Sequence, residues 1–185
     1  MTGKEYRNIQ EWAWYVLIET NATKLPIDII DICEQLNISI RCYNENHKFA
    51  KKFKNGFSVI NNGKKTIYIN KEMNNKHRVR FTIAHELGHI LLNHHQNKNN
   101  LSYNDLEIEA NMFAIRVLAP LCVLHELKVQ TESELRELCR ISKKAGEIRF
   151  QRFQEKESLN KYYINPMESI LIKQFKEFII KNKKR

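Results

Sequence analysis

Apolar residues recur at helical spacing from the start of the chain. Ile9, Trp12, Ala13, Val16 and Leu17 share one face of a predicted helix over Lys4 to Thr20. Pro26 breaks the pattern and opens a second predicted helix carrying Ile29, Ile30, Ile32, Cys33 and Leu36, with Asn37 as its stop. The period then changes to two: Ile38 to Cys42 alternates and predicts a strand. After a basic loop over Asn44 to Asn55, the β-prone runs Phe57 to Ile60 and Thr66 to Ile69 flank Asn61-Asn62-Gly63-Lys64. Asn-Gly tolerates positive φ, so the two runs predict a hairpin. Val79, Ile83, Leu87, Ile90 and Leu91 return to helical spacing and predict a long helix from Asn74 or Asn75 to about Asn93, followed by a polar loop over His94 to Asn100. Further helices are predicted over Asp105 to Ala119 (ended by Pro120), from Thr131 with Glu134 as a capping box, from Ser142 toward Glu155, and over Glu168 to Ile180.

Helices, a small sheet, then helices make an α+β pattern, and we expect the sheet to be antiparallel. At 185 residues, with 42% apolar, 28% charged, 5 Gly and 3 Pro, the chain suits one globular domain with at most a small appendage. We divide it at residue 125, with 126–185 as a helical extension packed on the first part. The net charge of +10 suggests an acidic partner. Much of it lies in Lys48 to Lys54 and Lys181 to Arg185, so we do not expect direct nucleic-acid binding. Cys33, Cys42, Cys122 and Cys139 form no CxxC pair and are read as reduced thiols. No run approaches the ~20 apolar residues of a membrane span, and Trp12 to Ile18 lacks a signal-peptide context. No membrane partner is expected.

One pentapeptide carries chemistry. His85-Glu86-Leu87-Gly88-His89 is an HExxH motif inside the long predicted helix. Residues i and i+4 of a helix project from one face, so the two imidazoles can share one Zn²⁺. Glu86, one residue along, can take a proton from the water that the metal activates without itself ligating. A catalytic zinc also needs a third protein ligand. On a helical projection Glu107 falls on the face of Ala110, Ala114, Val117 and Leu118, while Glu109 falls nearly opposite, beside Arg116. A carboxylate on a buried face needs a partner, so Glu107 is the expected ligand, with Glu109 as fallback, left to solvent or a basic side chain. Asn111, one turn beyond Glu107, is placed to hydrogen-bond a liganding histidine. Ala84, Gly88, Ala110 and Ala114 are small enough to let the two helices approach.

The stretches Arg80 to Leu92, Glu107 to Ala114, Leu118-Ala119-Pro120 and Ile141 to Phe150 resemble the ImmA/IrrE family of metallopeptidases, over about residues 25 to 155. The resemblance implies a zincin-like fold, a zinc ion and cytoplasmic proteolysis. It further implies, as substrate, a helix-turn-helix repressor encoded nearby, whose cleavage releases phage, mobile-element or stress genes. Glu107-x-x-Ala110-Asn111 is similar to the Glu-x-x-Ala-Asp of other zinc proteases, whose first Glu is the ligand. Ala119 stands where Met is usual. Gly146 stands where Ala is usual and should weaken its helix by up to ~1 kcal/mol. The rival readings are an antitoxin-like family member that binds a regulator without cutting it, and a DNA-binding regulator. The latter is prompted by the net charge and by the helix pair Thr131–Arg140 and Ser142–Glu155. Tyr68, His94, His95, Tyr103 and Arg149 are candidates for stabilising the oxyanion, with none chosen, and the strand Thr66 to Ile69 is a candidate edge for an extended substrate.

Overall fold

The computed structural model describes residues 3–44, 50–96, 100–159, 162 and 165–183. Parts of the basic segments around Lys48 and Arg185, and the far end of the loop after His94, lie outside these residues.

Helix α1 (Gly3–Glu19) buries Ile9, Ala13, Val16 and Leu17, the predicted stripe. Helix α2 (Ile29–Gln35) starts later than Pro26 because Asp28 caps it, its carboxylate accepting from the amides of Ile30 and Asp31. Strand β1 (Ile38–Tyr43) follows. Strands β2 (Gly56–Asn61) and β3 (Lys64–Asn70) form the predicted hairpin. Asn62 (φ 48°) and Gly63 (φ 77°) both occupy the left-handed region that a two-residue turn requires.

The α+β class holds, but the sheet is mixed. β2 and β3 are antiparallel, whereas β1 runs parallel to β3, with Ile40 opposite Ile67. The strand order is β1-β3-β2. The link 44–55 carries the chain past one strand position, and the hairpin then returns β3 into the gap. β3 is therefore central and paired on both sides, so the run Thr66 to Ile69 offers no free edge; β1 and β2 are the edge strands.

Helix α3 (Lys76–Leu91) is capped by Asn75, which accepts from the Arg78 amide. Helix α4 (Tyr103–Leu118) begins before Asp105 because Ser102 is its cap. α4 stops just before Pro120, as predicted, and Pro120 is in turn the N-cap of the short α5 (Leu121–Glu126). Helices α6 (Glu132–Cys139) and α7 (Lys143–Ser158) are capped by Thr131 and Ser142 as predicted. The carboxylate of Glu134 accepts from Gln130 rather than from Thr131, one residue off the capping-box pattern. The last predicted helix is two, α8 (Pro166–Gln174) and α9 (Lys176–Asn182), separated at Phe175.

One continuous core draws on α1, the sheet and the helices on both sides of residue 125, including Leu17, Ile67, Leu87, Phe113, Leu135 and Phe175. Tyr103–Glu126 is, among the described residues, the one stretch long and apolar enough to resemble a membrane span, and 67% of its window is buried inside the protein. The four cysteines are unpaired. Arg149 is buried, its guanidinium donating twice to the Ala119 carbonyl at 2.8 and 2.6 Å. It fastens α7 to the end of α4, which removes it from any DNA-facing role. Gly146 marks the contact of α6 and α7: a Cβ there would lie 2.4 Å from Glu132 Oε1 and 3.3 Å from Arg136 Cβ.

The closest approach that matters for function is between α3 and α4. A Cβ on Gly88 would lie 3.0 Å from Phe113 Cδ1 and 3.3 Å from both Cα and O of Ala110. Two of those atoms are helical backbone, which cannot yield without moving α4. Gly88→Val is expected to destabilise the metal-free protein by about 1–3 kcal/mol, although valine has the better helix propensity. Urea unfolding followed by circular dichroism measures this; unchanged stability would show that the two helices can separate freely.

Candidate metal centre

The one-turn spacing of α3 projects His85 and His89 toward α4, their ring centroids 4.7 Å apart. Glu107, in the second turn of α4, faces both rings. The Nε2 atoms of the histidines are 3.0 Å apart. Glu107 Oε2 lies 3.4 Å from His85 Nε2, and Glu107 Oε1 lies 3.2 Å from His89 Nε2. His85, His89 and Glu107 form the group of potential metal donors, among the described residues, with all three ligand atoms within 4.8 Å of one another.

These separations can be compared with what a metal demands. Zinc bonds of 2.0–2.1 Å in a tetrahedron place neighbouring donor atoms about 3.3 Å apart. The two ring nitrogens at 3.0 Å, and each of them with the Glu107 oxygen that faces it at 3.4 and 3.2 Å, are close to that value. The donor set of two imidazole nitrogens and a carboxylate is also a zinc set. Three lone-pair-bearing atoms turned toward one point repel one another unless a cation lies between them. The residues present therefore fit a divalent metal.

Both rings are neutral at pH 7. Burial lowers His85 from its ordinary value, opposed by the nearby Glu107. Burial, reinforced by His85, His94 and His95, holds His89 down to about 3. Burial and the neighbouring His85 bring His94 down to about 4. Neutral imidazole is the form that ligates.

The other ring nitrogens are held from behind. Asn111 Oδ1 is 3.0 Å from His85 Nδ1, where it accepts the ring proton and leaves Nε2 bare. His89 Nδ1 is 2.9 Å from His94 Nδ1, and His94 Nε2 is 3.0 Å from Glu109 Oε2.

Glu86 lines the same cleft as the three clustered donors but is not one of them. It is buried and accepts a hydrogen bond from Ser58 Oγ, on β2, at 2.8 Å. Burial raises its carboxyl to about 7, with Glu107 adding to the rise and the Ser58 hydrogen bond opposing it. Ser58 Oγ is also 3.2 Å from His95 Nε2.

A cleft of about 500 Å³ opens over these groups, walled by Phe53, Phe57 and Phe81 and lined also by Ser58, His95 and Tyr103. Of the five candidates for oxyanion stabilisation, His95 and Tyr103 therefore reach the cleft. Tyr68 stacks on Phe57 at 4.9 Å, His94 lies behind His89, and Arg149 is bound to Ala119. Tyr103 is 74% exposed at the start of α4, its hydroxyl hydrogen-bonded to Glu107.

The structure brings His85, His89, Glu107 and Asn111 together and sets Glu86 beside them. It reverses the burial expected for the two glutamates of α4. The Glu107 side chain is 31% exposed, since it faces the open cleft, whereas Glu109 is 8% exposed and pairs with His94. The helical projection erred because it treated the core as lying on one side of α4. The turn after α3 covers the opposite side and buries Glu109 there. Ser58 and the His94–Glu109 pair carry no local sequence signal: their contacts span 28 and 15 residues.

Comparison with known proteins agrees with this geometry. Residues 33–151 match the peptidase family M78, described as the IrrE N-terminal-like domain. The chain is also similar to the "Uncharacterized immunity region protein 2" of Bacillus phage phi105, with 30% identity over 118 residues covering 60% of this chain and 69% of that protein. The matched region contains α3, α4 and β2, and with them each of the clustered side chains, and the chain belongs to the IrrE N-terminal-like peptidase family.

Proposed function

We propose that the protein is a zinc metallo-endopeptidase, with His85, His89 and Glu107 as the metal ligands, Asn111 orienting His85, and Glu86 as the catalytic base. The observation that carries this reading is the convergence of the two ring nitrogens and the Glu107 carboxylate, each within 3.0 to 3.4 Å of the next, with a buried carboxyl alongside. When bound, zinc supplies Lewis acidity toward a water and the scissile carbonyl. Glu86 takes the proton that the attacking water loses and passes it to the departing amine. A carboxyl poised near neutrality suits both halves of that transfer. Ser58 Oγ donates to one Glu86 oxygen and so orients the carboxyl that receives the proton. The outer edge of β2, which pairs with no other strand among the described residues, borders the cleft and can accept an extended peptide by strand addition.

The substrate we propose is a helix-turn-helix repressor encoded nearby, cut in the cytoplasm to release phage, mobile-element or stress genes. The similarity to a phage immunity-region protein supports this choice. In this reading 126–185 serves as a helical extension, and among its described residues α8 braces the peptidase fold by packing on α1.

Incubation of the zinc-loaded protein with the neighbouring repressor is expected to yield discrete fragments by mass spectrometry, and a chelator should stop the cut. Glu86→Gln should keep one zinc per chain while slowing cleavage by at least about a hundredfold; a variant that still cuts at the parental rate would refute the assignment. His85→Ala should lose the zinc as well.

Removing the Ser58 hydroxyl takes away the hydrogen bond that favours the ionised carboxylate. Ser58→Ala is therefore expected to move the acid limb of the kcat/KM profile toward higher pH, and a limb that stays in place would remove Ser58 from the mechanism.

Burial of Glu86 also has a cost in the metal-free protein. Its folded value, about 7, lies above its ordinary 4.5, so the neutral form is favoured by folding. That contribution is fully present below pH 4.5 and is lost as pH rises through 7. Metal-free Glu86→Gln should then exceed the parent in stability at pH 8, by up to about 3 kcal/mol, with the difference vanishing near pH 4.5. Thermal unfolding in chelator across that range measures it.

A further inference from the structure

Helix α3 ends in a Schellman turn. Asn93 takes the left-handed conformation (φ 62°), its amide reaching the Ile90 carbonyl at 3.3 Å, and the His94 amide returns to the His89 carbonyl at 3.0 Å. The chain is thereby folded back so that the His94 ring lies against the rear of the His89 ring, their centroids 5.0 Å apart and nearly perpendicular. Glu109, on α4, closes the line from the other side. Both His94 and Glu109 are 8% exposed.

The hydrogen-bond directions along this line follow from the charge of Glu109. With Glu109 ionised, its carboxylate only accepts, so the hydrogen between His94 and Glu109 sits on His94 Nε2. In a neutral ring His94 Nδ1 is then bare and must accept. His89 Nδ1, 2.9 Å away, must donate to it. That leaves the lone pair of His89 on Nε2, the atom that faces His85 and Glu107. The opposite direction would put a hydrogen on His89 Nε2 and close it to a metal.

We propose that Glu109 and His94 are positioning residues: a buried carboxylate–imidazole relay that fixes the tautomer and plane of His89 and strengthens it as a ligand. His85 is held by a single amide oxygen, whereas His89 is held through a second imidazole backed by a charge. The two histidines of one motif are thus supported by different chemistry, and His89 is the more strongly polarised donor. The proposal rests on the reading of His85, His89 and Glu107 as a metal site.

The test is metal affinity of the full chain, measured for zinc by competition with a chromophoric chelator, together with the visible spectrum of the cobalt(II) form. His94→Phe keeps a ring of similar size but cannot accept from His89, and it should weaken zinc by about 10- to 100-fold and change the cobalt spectrum. His94→Gln can accept at its carbonyl oxygen and donate from its amide to Glu109, so it should recover most of the lost affinity. A space-filling role predicts the reverse order, with Phe tolerated better than Gln, and that order would overturn the proposal. In the zinc-loaded parent, nitrogen-15 NMR of the histidines should find the His94 hydrogen on Nε2 and Nδ1 bare. A hydrogen on His94 Nδ1 would overturn the relay without recourse to any variant. His85→Ala separates the two levels. If the parent takes up no zinc, or His85→Ala takes up as much, the metal-site reading itself fails and the relay with it. If the parent binds zinc, His85→Ala does not, and His94→Phe binds as tightly as the parent, the relay alone fails.

Discussion

The candidate centre depends on how closely α3 and α4 can lie. Glu107 is a short side chain and must reach two imidazoles on another helix. The space for that comes from Gly88, whose missing Cβ lets the backbone of Ala110 come within contact distance. Gly88 sits inside the motif, between Glu86 and His89, so the same helical turn supplies the donors and the gap that brings the third donor to them. Phe113 and Leu87, fully buried on either side, hold the approach from the core. The stability of the helix pair and the geometry of the centre are in this sense one quantity, because a shift of α4 that relieved crowding at residue 88 would also carry Glu107 away from the rings.

The electrostatics of the site are those of a place prepared for a cation. His85 and His89 are held neutral by burial, and the Glu86 carboxyl is raised to about 7 by the same cause. Burial of this many polar groups is unfavourable for the chain alone, and each has been given a partner that limits the cost: Asn111 for His85, His94 for His89, Ser58 for Glu86. What these partners do not satisfy is the set of three donor atoms turned toward one another. A divalent ion is the simplest group that would.

How much of this can be read from sequence depends on the separation of the contacts. His85, Glu86 and His89 are legible because one helical turn fixes their relation, and helical periodicity around them is strong. The Asn62-Gly63 turn is legible because only a few residues accept positive φ at both positions. The strand order is not legible, since it depends on where a twelve-residue link lands. Glu107 illustrates an intermediate case. It lies beside the two histidines, yet not on the buried face that the projection gives it: Glu107 faces the open cleft, and Glu109 is the buried carboxylate. A helical projection places residues on faces and cannot say which faces are covered. Here the Schellman turn after α3 covers the face of Glu109, and nothing within α4 signals that.

The topology of the sheet bears on function through β2. Because β3 occupies the centre, β2 is left at the edge next to α3, and its Ser58 is the residue that meets Glu86. One strand thus offers a hydrogen bond to the proposed base and, in the proposed reading, an edge along which a peptide could pair. A peptide paired with β2 would lie along the cleft wall with its backbone fixed in register relative to Ser58, and hence relative to Glu86. Pairing along the backbone selects an extended conformation rather than a sequence, so side-chain preference falls to the aromatic wall of Phe53, Phe57 and Phe81. A folded repressor presents few extended segments, and the linkers between its domains are the places where such a segment is available. The site geometry and the proposed substrate would meet at that point: a cleft that held straight backbone would act on the part of the proposed target that is not already folded.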